Sequence, residues 1–156
     1  MGAEVGKAAP SFSLAGSDNT DEGRRTYSLE EYRGKVVVLV FYPGDSTPVC
    51  TRQLNTYAGD LSSFEEAGAQ VLAISPQSVQ SHDEFACRQG GFGFPLLADT
   101  DKAVAEAYGI LGPLGFYRRS IFVVDADGIV RYAHKAVAGL SFRSSEDLLN
   151  AVRAAT

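Results

Sequence analysis

The sequence predicts an α/β fold whose central mixed β-sheet is flanked by helices, parallel in the middle and antiparallel at one edge. Three observations carry that reading. Short apolar runs rich in β-branched residues alternate with amphipathic segments, in the order β–α–β–α–β–α–β–β–α. Such alternation builds a parallel sheet covered by helices. The run Val36–Tyr42 is apolar at every position, as a strand buried on both faces must be. Finally, Asp125-Ala126-Asp127-Gly128 separates two strand-like runs, a hairpin signal that adds the antiparallel edge.

The elements follow in chain order. Val5–Leu14 contains Pro10 and a short alternation at Phe12 and Leu14, and reads as an edge strand or an irregular entry. Ala15–Arg25 is rich in Gly, Asp, Asn and Ser and reads as a turn or surface loop. Ser28 and Glu31 form an S-x-x-E capping box, which predicts a helical turn near Leu29–Tyr32 before Gly34. After the strand Val36–Tyr42, a Pro/Gly/Asp/Ser turn delivers Cys50 to the start of a helix. Leu54, Tyr57, Leu61 and Phe64 share one face of that helix, and Gly68 closes it. Gln70–Ser75 is a second buried strand. Ser81-His82-Asp83-Glu84 is another capping box, opening a helix that runs to Gln89, carries Cys87 and stops at Gly90-Gly91.

Gly93–Leu97 reads as a short strand around Pro95. Ala98-Asp99-Thr100 caps a helix with Val104, Ala105 and Tyr108 on one face, and Gly109–Phe116 is a Gly/Pro loop. Ser120–Asp125 and Ile129–Lys135 form the hairpin, and Ala138–Arg143 is a loop. Ser144 or Ser145 caps a last helix with Leu148, Leu149 and Val152 inward. With no repeat, low-complexity tract or linker, residues 1–156 read as one domain.

Composition excludes several functions. Nineteen acidic residues against 14 basic ones leave a net charge of −5, with no basic patch for a nucleic-acid partner. No apolar run reaches membrane length, and Met1–Pro10 lacks a leader pattern, so a soluble cytoplasmic protein is expected. Two cysteines without a CxxC pair and two histidines argue against a structural zinc site, and no cofactor is expected. His82 and His134 are assigned to the surface. Gly90–Gly93 lacks a following GK[ST] and is a helix stop, not a phosphate loop. In a reducing compartment, Cys50 and Cys87 point to transient redox chemistry rather than a permanent staple.

Cys50 is the chemical centre. Thiolate is the reactive form of cysteine, and the unpaired N–H groups of a first helical turn favour an anion. Thr47, three residues earlier, offers a hydroxyl that can donate and accept. The competing reading is a small buried hydrophobe.

Pro43-Gly44-Asp45-Ser46-Thr47-Pro48-Val49-Cys50 resembles the PxxxTxxC motif of the peroxiredoxins. Phe94–Asp99 and Arg119–Asp125 look like further stretches of that family, and the likeness spans roughly Val5 to Val152. The wording FYPGDSTPVCT and the short C-terminus are most similar to the PrxQ branch, also called bacterioferritin comigratory protein. The resemblance implies a thioredoxin-like fold and thiol peroxidase activity toward hydrogen peroxide or organic hydroperoxides. It implies that Cys50 is the peroxidatic nucleophile, that Thr47 and nearby N–H groups hold the peroxide, that Pro43 shields the thiolate, and that Arg119 lies beside it. Arg118 is the neighbouring alternative on pattern alone.

The branch's resolving cysteine five residues after the first is replaced here by Asn55, so the resemblance points instead to Cys87 and an intramolecular Cys50–Cys87 disulfide re-reduced by thioredoxin. An inert Cys87 would leave a one-cysteine enzyme reduced by a small external thiol. A thioredoxin-like non-peroxidase redox protein is a further alternative, against which the missing CxxC argues. Gln53 stands where the family usually has Glu, and Ser46 where a larger residue is common. A monomer is expected.

Overall fold

The computed structural model describes residues 2–136 and 142–156. Among the described residues, seven strands form one mixed sheet: β1 (Ser13–Ser17), β2 (Arg25–Ser28), β3 (Val36–Phe41), β4 (Ala69–Ser75), β5 (Leu96–Ala98), β6 (Ser120–Val124) and β7 (Val130–Lys135), in spatial order β2-β1-β5-β4-β3-β6-β7. The α-helices of the described residues are α1 (Pro48–Gly59), α2 (Leu61–Glu66), α3 (Val79–Arg88), α4 (Ala103–Tyr108) and α5 (Ser145–Ala154). Among the described residues, no helix is long and apolar enough to cross a membrane.

β3 is the axis. It pairs parallel with β4, Val38 opposite Val71, and antiparallel with β6, Leu39 opposite Phe122. All six of its side chains are buried because alternate residues feed opposite cores. Val36, Val38 and Val40 pack with Leu54, Tyr57, Phe64, Phe85, Leu148 and Val152 from α1, α2, α3 and α5. Val37, Leu39 and Phe41 pack with Val104, Ala105 and Tyr108 of α4 and with Phe122. The expected parallel core and the β6–β7 hairpin are both present.

The stretch Val5–Leu14, read as an edge strand or an irregular entry, runs into β1, which continues through the expected surface loop; β1 pairs with β2, Leu14 opposite Tyr27, and carries the sheet onto β5. Gly16 is among the Gly, Asp, Asn and Ser residues that make this stretch read as a turn. In fact a Cβ there would lie 2.8 Å from the Leu96 carbonyl oxygen, so glycine is what lets β1 approach β5. Arg25 stacks 3.9 Å over the Tyr27 ring and bonds Glu31, which holds the outer strand.

Capping also departs from expectation in places. The helix after Cys50 divides at Asp60, following Gly59, a poor helix former, although both halves keep the predicted buried face. α3 begins earlier than expected, with Ser78 accepting from the Ser81 N–H, so Ser81 lies inside the first turn. The turn at Glu30–Tyr32 is a 3₁₀ turn without a side-chain cap from Ser28. Asp99 does cap α4, its carboxylate accepting from the Val104 and Ala105 N–H groups. Ser144, not Ser145, caps α5. Of the predicted loop Ala138–Arg143, residues 138–141 lie outside the described residues.

Candidate active site

The site begins where β3 ends. Tyr42 is fully buried, and the chain turns through Pro43, Gly44, Asp45 and Ser46 to Thr47, the N-cap of α1. Ser46 takes a left-handed conformation, φ 63°, a costly one for a residue with a side chain. Pro48 occupies the first helical position, where its fixed φ suits the helix and its missing N–H costs nothing. Cys50 is therefore the third residue of the first turn, and it is fully buried. The Val49 and Cys50 N–H groups have no carbonyl one turn earlier in the helix to bond.

The sheet supplies the cation. β6 runs antiparallel to β3 with Ser120 opposite Phe41, so Arg119 lies just past the pairing, level with the turn. Its guanidinium is buried, with Nη2 3.3 Å from Cys50 Sγ and Nη1 2.5 Å from Gln53 Oε1. Gln53 lies three residues after Cys50 on α1 and is also fully buried. The alternative, Arg118, turns the other way and bonds the Ala136 carbonyl. Two of the expected residues, Cys50 and Arg119, are thus in contact. Thr47 is exposed on the same turn, its hydroxyl donating to the Gly44 carbonyl at 3.3 Å, and Pro43 is partly buried.

Cys87 occupies a different flank. Both cysteines are free, Cys50 buried and Cys87 exposed. On α3, Ser81 and Arg88 reach the turn, bonding Asp45 and Ser46. Cys87 instead follows Asp83 by one helical turn, and Asp83 bonds Ser17 of β1 and Arg24.

Sequence reasoning placed His82 on the surface, and the structure overturns this: His82 is completely buried. Its Nδ1 lies 2.8 Å from Asp45 Oδ2 and its Nε2 2.9 Å from the Leu97 carbonyl oxygen. Asp45 also accepts from Tyr42 Oη at 2.6 Å and Ser81 Oγ at 2.7 Å. Burial pushes the Asp45 carboxyl up, but the hydrogen bond and charge of His82 and the Tyr42 and Ser81 hydroxyls outweigh it, and the net shift is downward. Tyr42 is driven the opposite way, well above the ordinary phenol range, by burial and by the Asp45 charge. The spacing of His82, Phe85 and Ala86 on one helical face was the available signal. His134 is half-buried.

The AhpC/TSA family profile matches residues 5–133. The chain belongs to that family. A Coxiella burnetii protein assigned as peroxiredoxin bcp is 36% identical over 137 residues, covering 83% of this chain and 87% of its own length. Rat peroxiredoxin-2 is 36% identical over 136 residues, covering 83% of this chain and 68% of its own. The solved structure of Xanthomonas campestris peroxiredoxin Q superposes with a TM-score of 0.80 at 33% identity, over 92% of this chain and 90% of that one. A structure of the Xanthomonas campestris bacterioferritin comigratory protein, described for its alkyl peroxide reduction activity, matches at 31% identity with the same TM-score.

These likenesses bear out the peroxiredoxin resemblance, its PrxQ branch and the thioredoxin-like sheet. As a peroxiredoxin the chain is a thiol peroxidase, an oxidoreductase that takes a peroxide as substrate and draws on a thiol reductant. Within this peroxiredoxin, Gln53 meets Arg119 through a neutral amide rather than a carboxylate.

Proposed function

We propose that Cys50 is the peroxidatic nucleophile and that this chain, acting as a single domain, reduces hydrogen peroxide and organic hydroperoxides. One observation carries the reading: a buried sulfur in the first turn of a helix lies 3.3 Å from a buried guanidinium nitrogen. The Cys50 thiolate attacks the terminal oxygen of R–O–OH. An S–O bond forms, the O–O bond breaks, and sulfur gives up two electrons to become a sulfenic acid. The departing RO⁻ takes up a proton and leaves as the alcohol, or as water from hydrogen peroxide. Arg119 and the free N–H groups of the first turn stabilise charge moving onto the leaving oxygen, and Thr47 orients the peroxide. Pro43 shields the sulfur.

Cys87 then resolves the sulfenic acid. An S–S bond forms, the S–O bond breaks, and hydroxide leaves with the Cys87 proton as water. A dithiol reductant of the thioredoxin kind returns two electrons and two protons. The relatives support a cytoplasmic protein, and we assign a monomer with neither a nucleic-acid nor a membrane partner. The exposed flank on which Cys87 sits favours a second reading, in which a small external thiol reduces Cys50 directly. Mass spectrometry of peroxide-treated protein separates the two, because a loss of two hydrogens with a Cys50–Cys87 crosslink selects the first. A wild-type protein that reacts with hydrogen peroxide no faster than free cysteine would refute both.

A further inference from the structure

The turn that carries Thr47 toward Cys50 is tied down almost entirely by one segment, from Gln77 to Arg88. Gln77 Oε1 accepts from the Asp45 N–H at 2.6 Å, Ser81 and His82 bond the Asp45 carboxylate, and Arg88 bonds the Ser46 hydroxyl. The His82 ring has an acceptor at each nitrogen, a carboxylate at Nδ1 and a carbonyl at Nε2. The ring is therefore held at both ends, by the Asp45 carboxylate and by the backbone of β5. A left-handed residue such as Ser46 persists only where its surroundings over-determine it. A buried, fully bonded pair does this well, because it tolerates only one geometry.

We propose that Asp45 and His82 are positioning residues for the Cys50 reaction, a clasp that fixes the peroxide-holding turn against α3. The proposal rests on Cys50 being the peroxidatic thiol. Neither residue is hydrogen-bonded to the sulfur. Asp45 acts through Thr47, two residues on, and through the first-turn N–H groups that follow. Loosening the clasp therefore misplaces the peroxide without removing the nucleophile.

The test uses the full chain in a Cys87→Ser background, so that only Cys50 reports. Rapid-quench mass spectrometry gives its rate of oxidation by hydrogen peroxide, and iodoacetamide gives its rate with an electrophile that needs no peroxide site. Asp45→Asn and His82→Leu are expected to lower the peroxide rate by about 10-fold or more, since small misplacements of reacting groups cost that much. Their alkylation rates hold or rise. His82→Asn, whose amide can stand in for the Nδ1 donor, recovers most of the peroxide rate.

If His82→Leu does not fold, Asp45→Asn decides alone. Peroxide rates within about 2-fold of the parent overturn the clasp, as does an equal fall in both rates. A parent no faster than free cysteine instead overturns the assignment of Cys50.

Discussion

Gln53 Oε1 accepts a 2.5 Å hydrogen bond from Arg119 Nη1, which leaves Nη2 of the same guanidinium facing Cys50 Sγ. A planar fork that serves two acceptors at once is a property of arginine and not of lysine. Gln53→Ala is expected to slow Cys50 oxidation about 10-fold by freeing the fork, and Arg119→Lys about 100-fold by losing it. The double variant should fall no further than Arg119→Lys alone, because Gln53 acts only through that arginine. Stopped-flow rates for the four proteins measure the coupling, and additive losses would mean that Gln53 works by another route.

The two cysteines make a separate prediction. A disulfide requires Cα atoms within about 7 Å, and Cys87 sits on the flank of α3 that faces the β1–β2 hairpin. Bringing it to Cys50 means unwinding the last turn of α3, the first turn of α1, or both. Oxidised protein should therefore exchange the amides of Phe85–Arg88 or Val49–Gln53 faster than reduced protein. Cys87→Ser should keep the first oxidation, lose the crosslink and show no such difference. Cys50→Ser should abolish turnover.

Acid stability follows from Asp45. Its carboxyl titrates below the ordinary range when folded, so it stabilises the fold above the unfolded-state value near pH ~4. That contribution is lost as pH falls through the lower, folded-state value. Urea unfolding at stepped pH should show a descending acid limb that is shallower in Asp45→Asn. A residual slope is expected there, because Glu31 and Asp125 are shifted in the same direction, Glu31 by its bond to Arg25 and Asp125 by backbone N–H groups and Arg131 that outweigh its desolvation. Identical limbs would mean that the Asp45 bonds do not survive in solution.

The parts of this molecule legible in the sequence are those in which local chemistry and tertiary need agree. Val36–Phe41 could hardly be anything but a doubly covered strand, and the turn into Cys50 announced both a helix start and a thiol. Arg119 rests mainly on likeness, since its spacing to Phe122 separates it only weakly from Arg118, whose side chain turns away to Ala136. The failures have physical reasons. Gly16 carries the general signal of a turn, while its role, a close approach to Leu96, depends on a strand some 80 residues away that no local window contains. His82 and Asp45 are polar residues whose burial is possible only because they meet, and a pair 37 residues apart is invisible until the fold closes it.

Two glycines should respond to alanine with opposite signs. At Gly16 a Cβ would stand 2.8 Å from Leu96 O and 3.2 Å from Leu97 Cα, both backbone atoms of β5 that cannot step aside without opening the β1–β5 pairing. Gly16→Ala should cost about 1–3 kcal/mol, as overpacking does. The loss should concentrate in faster amide exchange across β1 and β2, the outer end of the sheet. Gly59, the last residue of α1, has nothing within 4 Å of its Cβ position. Gly59→Ala should stabilise by about 0.5–1 kcal/mol, because alanine gives up less backbone freedom in a helix. Chemical denaturation of the two variants beside the parent reads both signs. A neutral Gly16→Ala would show that β1 can slide along β5 to make room.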